Sequence, residues 1–347
     1  MKKFKISAFL LIVMLSISIL SGCSQNNEKV LNVYNWGDYI DESVLKGFED
    51  EYGIKVNYDT YATNEDMYIK IKSGGSSYDV IFPSDYMIER MIKENLLQKI
   101  DLNNIPNYEL IDEQFKNLDY DPNNEYSVPY MWGTVGILYN KTMVDEPVDS
   151  WDILWDEKYS GQILMLDSQR DSIGVALKKL GFSLNTRDVN ELEQAKQALI
   201  EQKPLVLAYV GDEVKDKMIG EEAALAVVWS GDAVACKREN PNLEYVIPKE
   251  GSNLWFDAMA IPASAQNKEA AEMFINYLCD TGIAYKNTDY IGYSTPHTKA
   301  KEMLDEELLN DIAAYPQPED ISNCEIFYDL GEFITEYDRV WTEIMAQ

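Results

Sequence analysis

Four places in the chain bring an aromatic side chain close to a carboxylate or hydroxyl. Trp36, Asp38 and Tyr39 form one group, and Ser84, Asp85 and Tyr86 a second. Trp229 with Asp232, and Trp255 with Asp257, are the others. Aromatic faces attract organic cations through the ring quadrupole, and carboxylates neutralise ammonium groups and accept their hydrogen bonds. An elongated box of tryptophan and tyrosine with acids near its ends suits a linear polyamine. Its methylene segments pack on the rings and its ammonium groups meet the acids. Blander readings exist for each residue. A lone Trp or Tyr is more often core. Asp171 and Asp232 both open helical segments, so capping alone accounts for each. Asp38 and Asp85 read as solvated or capping residues. The recurrence carries the cation reading, not any one position.

These groups follow the ends of predicted strands. Val30 to Tyr34, Ile54 to Tyr58 and Tyr78 to Phe82 read as strands. Between and after them, Glu42 to Tyr52, Asn64 to Lys72 and Tyr86 to Leu97 have helical spacing. A second set begins near Trp132. Thr134 to Asn140, Gln162 to Leu166, Ala223 to Trp229, Glu244 to Pro248 and Leu254 to Ile261 read as strands. Ser150 to Tyr159 reads as Trp-rich helical turns. Asp171 to Leu180, Val189 to Gln202, Asp232 to Glu239, Asn267 to Leu278 and Phe333 to Met345 read as helices. This alternation predicts an α/β fold with two mainly parallel sheets, each flanked by helices. Two such groups imply two lobes with a cleft between them. Ligands of open α/β sheets sit beyond the carboxyl ends of the strands.

The composition excludes several classes. Of 347 residues, 60 are acidic and 30 basic, giving a formal charge of −30. Such a balance repels nucleic acid and anionic membrane surfaces. His297 is the sole histidine, so a histidine-rich metal site is excluded, and it reads as a surface-loop residue. Neither G-x-S-x-G nor H-E-x-x-H occurs. Ser73-Gly74-Gly75-Ser76-Ser77 lacks the P-loop lysine, and Asp121-Pro122-Asn123-Asn124-Glu125 lacks the EF-hand spacing. Both read as turns. No cofactor or metal is expected.

The first residues read as an export signal. Lys2, Lys3 and Lys5 precede an apolar run from Ile6 to Leu20. The run ends Leu20-Ser21-Gly22-Cys23, which resembles a lipobox, with Cys23 lipidated after removal of residues 1–22. Loss of those three lysines makes the mature chain more acidic still. Residues 23–28 form a tether. Cys236, Cys279 and Cys324 match no metal or redox spacing and read as buried small hydrophobes, with a disulfide pairing left open.

At the strand ends the sequence resembles the spermidine/putrescine-binding proteins of bacterial ABC transporters, members of the periplasmic substrate-binding family. The resemblance rests on Tyr34-Asn35-Trp36-Gly37-Asp38-Tyr39, Tyr78-Asp79-Val80-Ile81-Phe82-Pro83-Ser84 and Tyr126-Ser127-Val128-Pro129-Tyr130. It continues in Trp255-Phe256-Asp257-Ala258-Met259-Ala260-Ile261-Pro262 and Ile291-Gly292-Tyr293-Ser294-Thr295-Pro296. It implies the type II periplasmic-binding-protein fold, with residues 29–133 plus 258–305 in one lobe and 134–257 plus 306–347 in the other. It further implies a binding site of Trp36, Tyr39, Ser84, Tyr86, Asp171, Trp229, Trp255, Asp257 and Tyr293. Asp257 would be the main ammonium partner, supported by Trp255, with Trp36 and Trp229 flanking the methylene chain. Asp171 stands where the family has a glutamate. Ser168 replaces a family aspartate and Phe327 a family glutamine, which leaves the choice between spermidine and putrescine open.

The expectation is a monomeric, lipid-anchored extracellular receptor, not an enzyme, that hands a polyamine to an ABC permease. The alternatives are a receptor of the same fold for a sugar or metal complex, and a secreted hydrolase using paired carboxylates.

Overall fold

The computed structural model describes residues 29–74 and 77–347. The predicted signal, Cys23, the tether, and Gly75 and Ser76 of the glycine turn lie outside the described residues. In chain order the first strands and helices are β1 (Val30–Trp36), α1 (Glu42–Tyr52), β2 (Lys55–Tyr61), α2 (Asn64–Lys72), β3 (Val80–Ile81) and α3 (Asp85–Lys93). Then follow β4 (Ser127–Asn140), β5 (Ile163–Leu166), α4 (Gln169–Lys179), α5 (Val189–Gln202), β6 (Val206–Val210), α6 (Val214–Ile219), β7 (Leu225–Trp229) and α7 (Ser230–Glu239). The chain closes with β8 (Leu243–Val246), β9 (Leu254–Ala260), α8 (Lys268–Leu278), α9 (Thr281–Ile291), α10 (Thr298–Lys301), α11 (Glu306–Leu309) and α12 (Ile334–Met345).

Local sequence explains the clean boundaries. Asp41 accepts the Ser43 N–H at the start of α1, and Gly53 ends it with φ 63°. Thr63 caps α2 and Asp188 caps α5 in the same way. The buried face of α1 is Val44 and Phe48, one turn apart.

The strands run in the order β2-β1-β3-β9-β4-β7-β5-β6, with β8 also on β4. β1 pairs in parallel with β2 and β3, and β5 pairs in parallel with β6 and β7. These are the parallel half-sheets the alternation predicts. The strands joining them are antiparallel. β4 pairs with β9 through Thr134 and with β7 from Val135 onward. One long strand therefore passes between the two lobes. Its side chains are buried along almost all its length, as expected where both faces are covered.

Two readings of polar residues need correction. His297 is not on the surface but buried. Its Nδ1 accepts the Ala300 N–H at 3.0 Å, and its Nε2 lies 3.1 Å from the Cys279 carbonyl, which it serves as donor. Burial lowers its pKa, in keeping with a neutral ring. Asp85 is likewise fully buried rather than solvated. Its carboxylate accepts the N–H of Tyr86 at 2.7 Å and of Phe256 at 3.1 Å, which ties α3 to β9. Cys236 and Cys279 are buried, Cys324 is half-buried, and all of them are free thiols.

Candidate functional site

Asp257 lies on β9, where side chains alternate between faces, so Trp255 and Asp257 point the same way. An antiparallel bridge sets Asp257 beside Ser84, at the N-terminus of α3. The Tyr39 hydroxyl, from the loop after β1, donates to Asp257 Oδ2 at 2.7 Å. Asp257 is 6% exposed, and its Oδ1 has no hydrogen-bond partner among the described residues. Burial pushes this carboxyl up to about 7; the Ser84 and Tyr39 hydroxyls pull it down and the charge of Asp171 adds to the rise.

Aromatic rings wall this acid. Tyr293 sits edge-on to Tyr39 at 5.3 Å and to Trp255 at 5.4 Å. Its ring lies flat on Gly231, where a Cβ would come within 2.3 Å of it. Gly133 on β4 makes room for Trp255 in the same way, with the indole 2.6 Å from a Cβ built there. The Trp255 Nε1 is buried without a partner among the described residues. Trp36 donates its indole N–H to the Phe82 carbonyl at 2.8 Å, which leaves only its ring face for contact.

Asp171 forms the second acidic point. It sits in the first turn of α4, yet it caps nothing: Ser168 Oγ donates to its Oδ2 at 2.7 Å and Asn253 Nδ2 to its Oδ1 at 3.3 Å. Burial raises its pKa, opposed by those donors, by Trp229 and by the charge of Arg170. Asp232, in the first turn of α7, makes no cap either, and its Oδ2 is buried without a partner among the described residues. Burial pushes Asp232 up to about 6. Three helices thus aim their N-termini at this region with no side-chain cap, which favours nearby carboxylates electrostatically.

The sequence-predicted residues divide by contact. Tyr39, Ser84, Trp255, Asp257 and Tyr293 meet directly. Trp229 borders Asp171. Tyr86 stands one step back: its hydroxyl donates to Glu65 Oε1 at 3.0 Å and accepts from Asn64 Nδ2 at 3.1 Å. Phe327 and Ser168 both lie on the Asp171 side. Phe327 is buried against the guanidinium of Arg170, 4.2 Å from its ring centroid, and Ser168 serves Asp171. Sequence reasoning missed Asn253, Arg170 and Lys215. Asn253 had a signal, the alternation Asn253, Trp255, Asp257 along one strand face. Arg170 had none, because its partners Phe327, Tyr86 and Tyr337 come from distant segments.

Such a site can hold a cation. It offers buried carboxylates, ring faces and no histidine. Among the described residues no group of His, Cys, Asp and Glu is arranged to hold a metal, and no helix is long and apolar enough to cross a membrane.

Residues 43–317 match a family described as bacterial extracellular solute-binding protein. The chain belongs to this family. Among these solute-binding proteins, a spermidine/putrescine-binding periplasmic protein of Salmonella typhimurium is 37% identical over 94% of each chain. A solved protein from Listeria monocytogenes, named for a proposed spermidine/putrescine ABC transporter, is 44% identical with a TM-score of 0.89. It covers 91% of this chain and 99% of its own. The spermidine/putrescine ABC transporter substrate-binding protein of Streptococcus pneumoniae is 42% identical, with a TM-score of 0.79 over 92% of this chain and 99% of its own. By name, the Salmonella protein binds spermidine and putrescine, and the Streptococcus protein is the substrate-binding protein of an ABC transporter. The two solved proteins share the fold described here.

Proposed function

We propose that this chain is a receptor that captures a linear polyamine, spermidine or putrescine, between its lobes and delivers it to an ABC permease without altering it. The buried Oδ1 of Asp257, without a partner among the described residues and set among the rings of Tyr39, Trp255 and Tyr293, carries the reading. A buried carboxylate lacking a counter-charge is costly, and an ammonium group satisfies it. A neutral sugar would stack on the same rings but would leave Asp171 and Asp257 uncompensated. The names of the relatives point the same way. On this reading the lobes comprise residues 29–133 plus 258–305 and residues 134–257 plus 306–347. They close by a hinge motion at the strands that pass between them, and the closed form is what the permease meets. Lipidation of Cys23 would anchor a monomer to the outer face of the cell membrane.

Calorimetric titration with putrescine, spermidine and maltose tests the proposal. Heat with a polyamine and none with maltose is expected. No heat with either polyamine overturns it. Turnover of a glycan that is abolished by Asp257→Asn would replace the receptor with a hydrolase.

A further inference from the structure

Three buried carboxylates border the rings of the site: Asp171 beside Trp229, Asp257 beside Tyr39, and Asp232 next to the Gly231 that lies under Tyr293. Asp171 and Asp257 feel each other's charge. Asp257 borders the Tyr293 ring, and Asp232 faces the same tyrosine. Asp171, Asp257 and Asp232 are 8%, 6% and 4% exposed. The first two face the ligand space with only neutral donors on their oxygens. Asp232 differs, because the protein sets a lysine before it. Lys215 Nζ, at the start of α6, is 3.7 Å from Asp232 Oδ1 and 2.8 Å from Asp38 Oδ2. Asp212 faces the same lysine, and its carboxylate presses on Gly37, where a Cβ would come within 2.5 Å of Oδ2. Asp38 and Gly37 follow β1, whereas Asp212, Lys215 and Asp232 belong to the β6 to α7 region. Both lobes therefore build this nest, and Asp232 Oδ2 within it is buried without a hydrogen-bond partner among the described residues.

A lysine side chain is a butylammonium, the same chemistry as the end of a polyamine. We propose that Lys215 is a tethered ammonium occupying the third of these carboxylates, so that the site prefers a diammonium ligand such as putrescine over a triammonium ligand such as spermidine. This inference rests on the polyamine reading above. A diamine meets Asp171 and Asp257 without approaching Lys215. A longer ligand must compete with Lys215 for Asp232, Asp38 and Asp212, or leave its extra ammonium without a carboxylate, and a tethered ammonium competes at no cost in association entropy. The other end is bounded in the same way. Arg170, buried against Phe327, stands beside Asp171 as a second fixed cation.

The test compares dissociation constants for putrescine and spermidine in the wild type, Lys215→Ala, Lys215→Gln and the double variant Lys215→Ala with Asp232→Asn. Loss of the lysine charge is expected to shift the ratio of the two constants toward spermidine by about 10-fold, equivalent to ~1.4 kcal/mol. The double variant should return the ratio to the wild-type value, because the freed carboxylate is gone. Lys215→Gln keeps the length and packing of the side chain and guards against an effect of lost contacts. An unchanged ratio in both single variants, including equal weakening of both ligands, overturns the proposal and makes Lys215 a closure contact only. Absence of heat with wild-type protein and either polyamine overturns the polyamine reading itself, a distinct outcome.

Discussion

Asp257 carries the most consequence of any single residue. Tyr39 donates a hydroxyl hydrogen bond and the Ser84 hydroxyl also pulls its pKa down, yet burial still holds its carboxyl up to about 7. Binding an ammonium requires the ionised form, so ligand capture below neutrality must expel a proton. Calorimetry in buffers of different ionisation heat should detect near one proton released per ligand at pH 6 and almost none at pH 8.5. Equal release at both values would contradict this assignment. The same shift sets a stability trend. In the unfolded chain the aspartate titrates near its ordinary value of about 3.9. Between that value and about 7 the ligand-free folded state binds the extra proton. Its contribution is therefore complete below about 4 and lost as pH rises through 7. Asp232, raised to about 6, acts in the same direction. Urea unfolding of ligand-free wild type and Asp257→Asn at pH 5 and pH 8 should show a smaller fall for the variant. The variant should also bind polyamine ~30-fold or more weakly, since losing one partner of a buried charged pair costs about 2–5 kcal/mol.

At the scale of elements, close approach of backbones shapes the site. Gly231, the second residue of α7, lies directly under the Tyr293 ring, and a Cβ there would lie 2.3 Å from it. Gly231→Ala must push Tyr293 away from Trp255 and Tyr39. Polyamine affinity is expected to drop ~10-fold or more, equal to at least ~1.4 kcal/mol, with the fold retained. Titration alongside far-ultraviolet circular dichroism checks both halves of that statement. The sequence made some elements legible and hid others for definite reasons. α1, α2 and α5 begin where expected because Asp41, Thr63 and Asp188 cap their N-termini and their apolar spacing is regular. β4 starts seven residues before the expected Thr134, at Ser127. Pro129 argues against a central strand, and a register shift between Pro129 and Met131 accommodates it. β6 escaped notice as a half-exposed strand at the sheet edge, and α9 because its buried face includes Asn287 and Thr288. The alternating Trp255 and Asp257 were readable from spacing alone. The burial of Asp85, Arg170 and His297 was not, since each is covered by segments far away in the chain.

The whole molecule adds a field that no single site supplies. An excess of 30 acids over bases leaves at least half of the acids without a basic partner of their own. The ion pairs that exist are largely exposed, such as Lys46 with Asp50 and Lys249 with Asp149, and such pairs contribute little to stability. Their consequence lies in association. A polycation approaching this surface is drawn in over distances comparable with the Debye length, about 10 Å at 0.1 M salt. At the proposed site it then meets the buried carboxylates of Asp171 and Asp257, which salt screens far less. The association rate and the dissociation rate should therefore respond differently. Stopped-flow tryptophan fluorescence, reporting on Trp229 and Trp255, should show association slowing ~10-fold or more between 20 and 300 mM salt, in the range of electrostatic steering. Dissociation should change little over the same range. If salt instead accelerated dissociation and left association constant, selectivity and capture would both reside in screened surface pairs. The buried carboxylates would then be structural groups, and the tethered-ammonium role of Lys215 would fall with them.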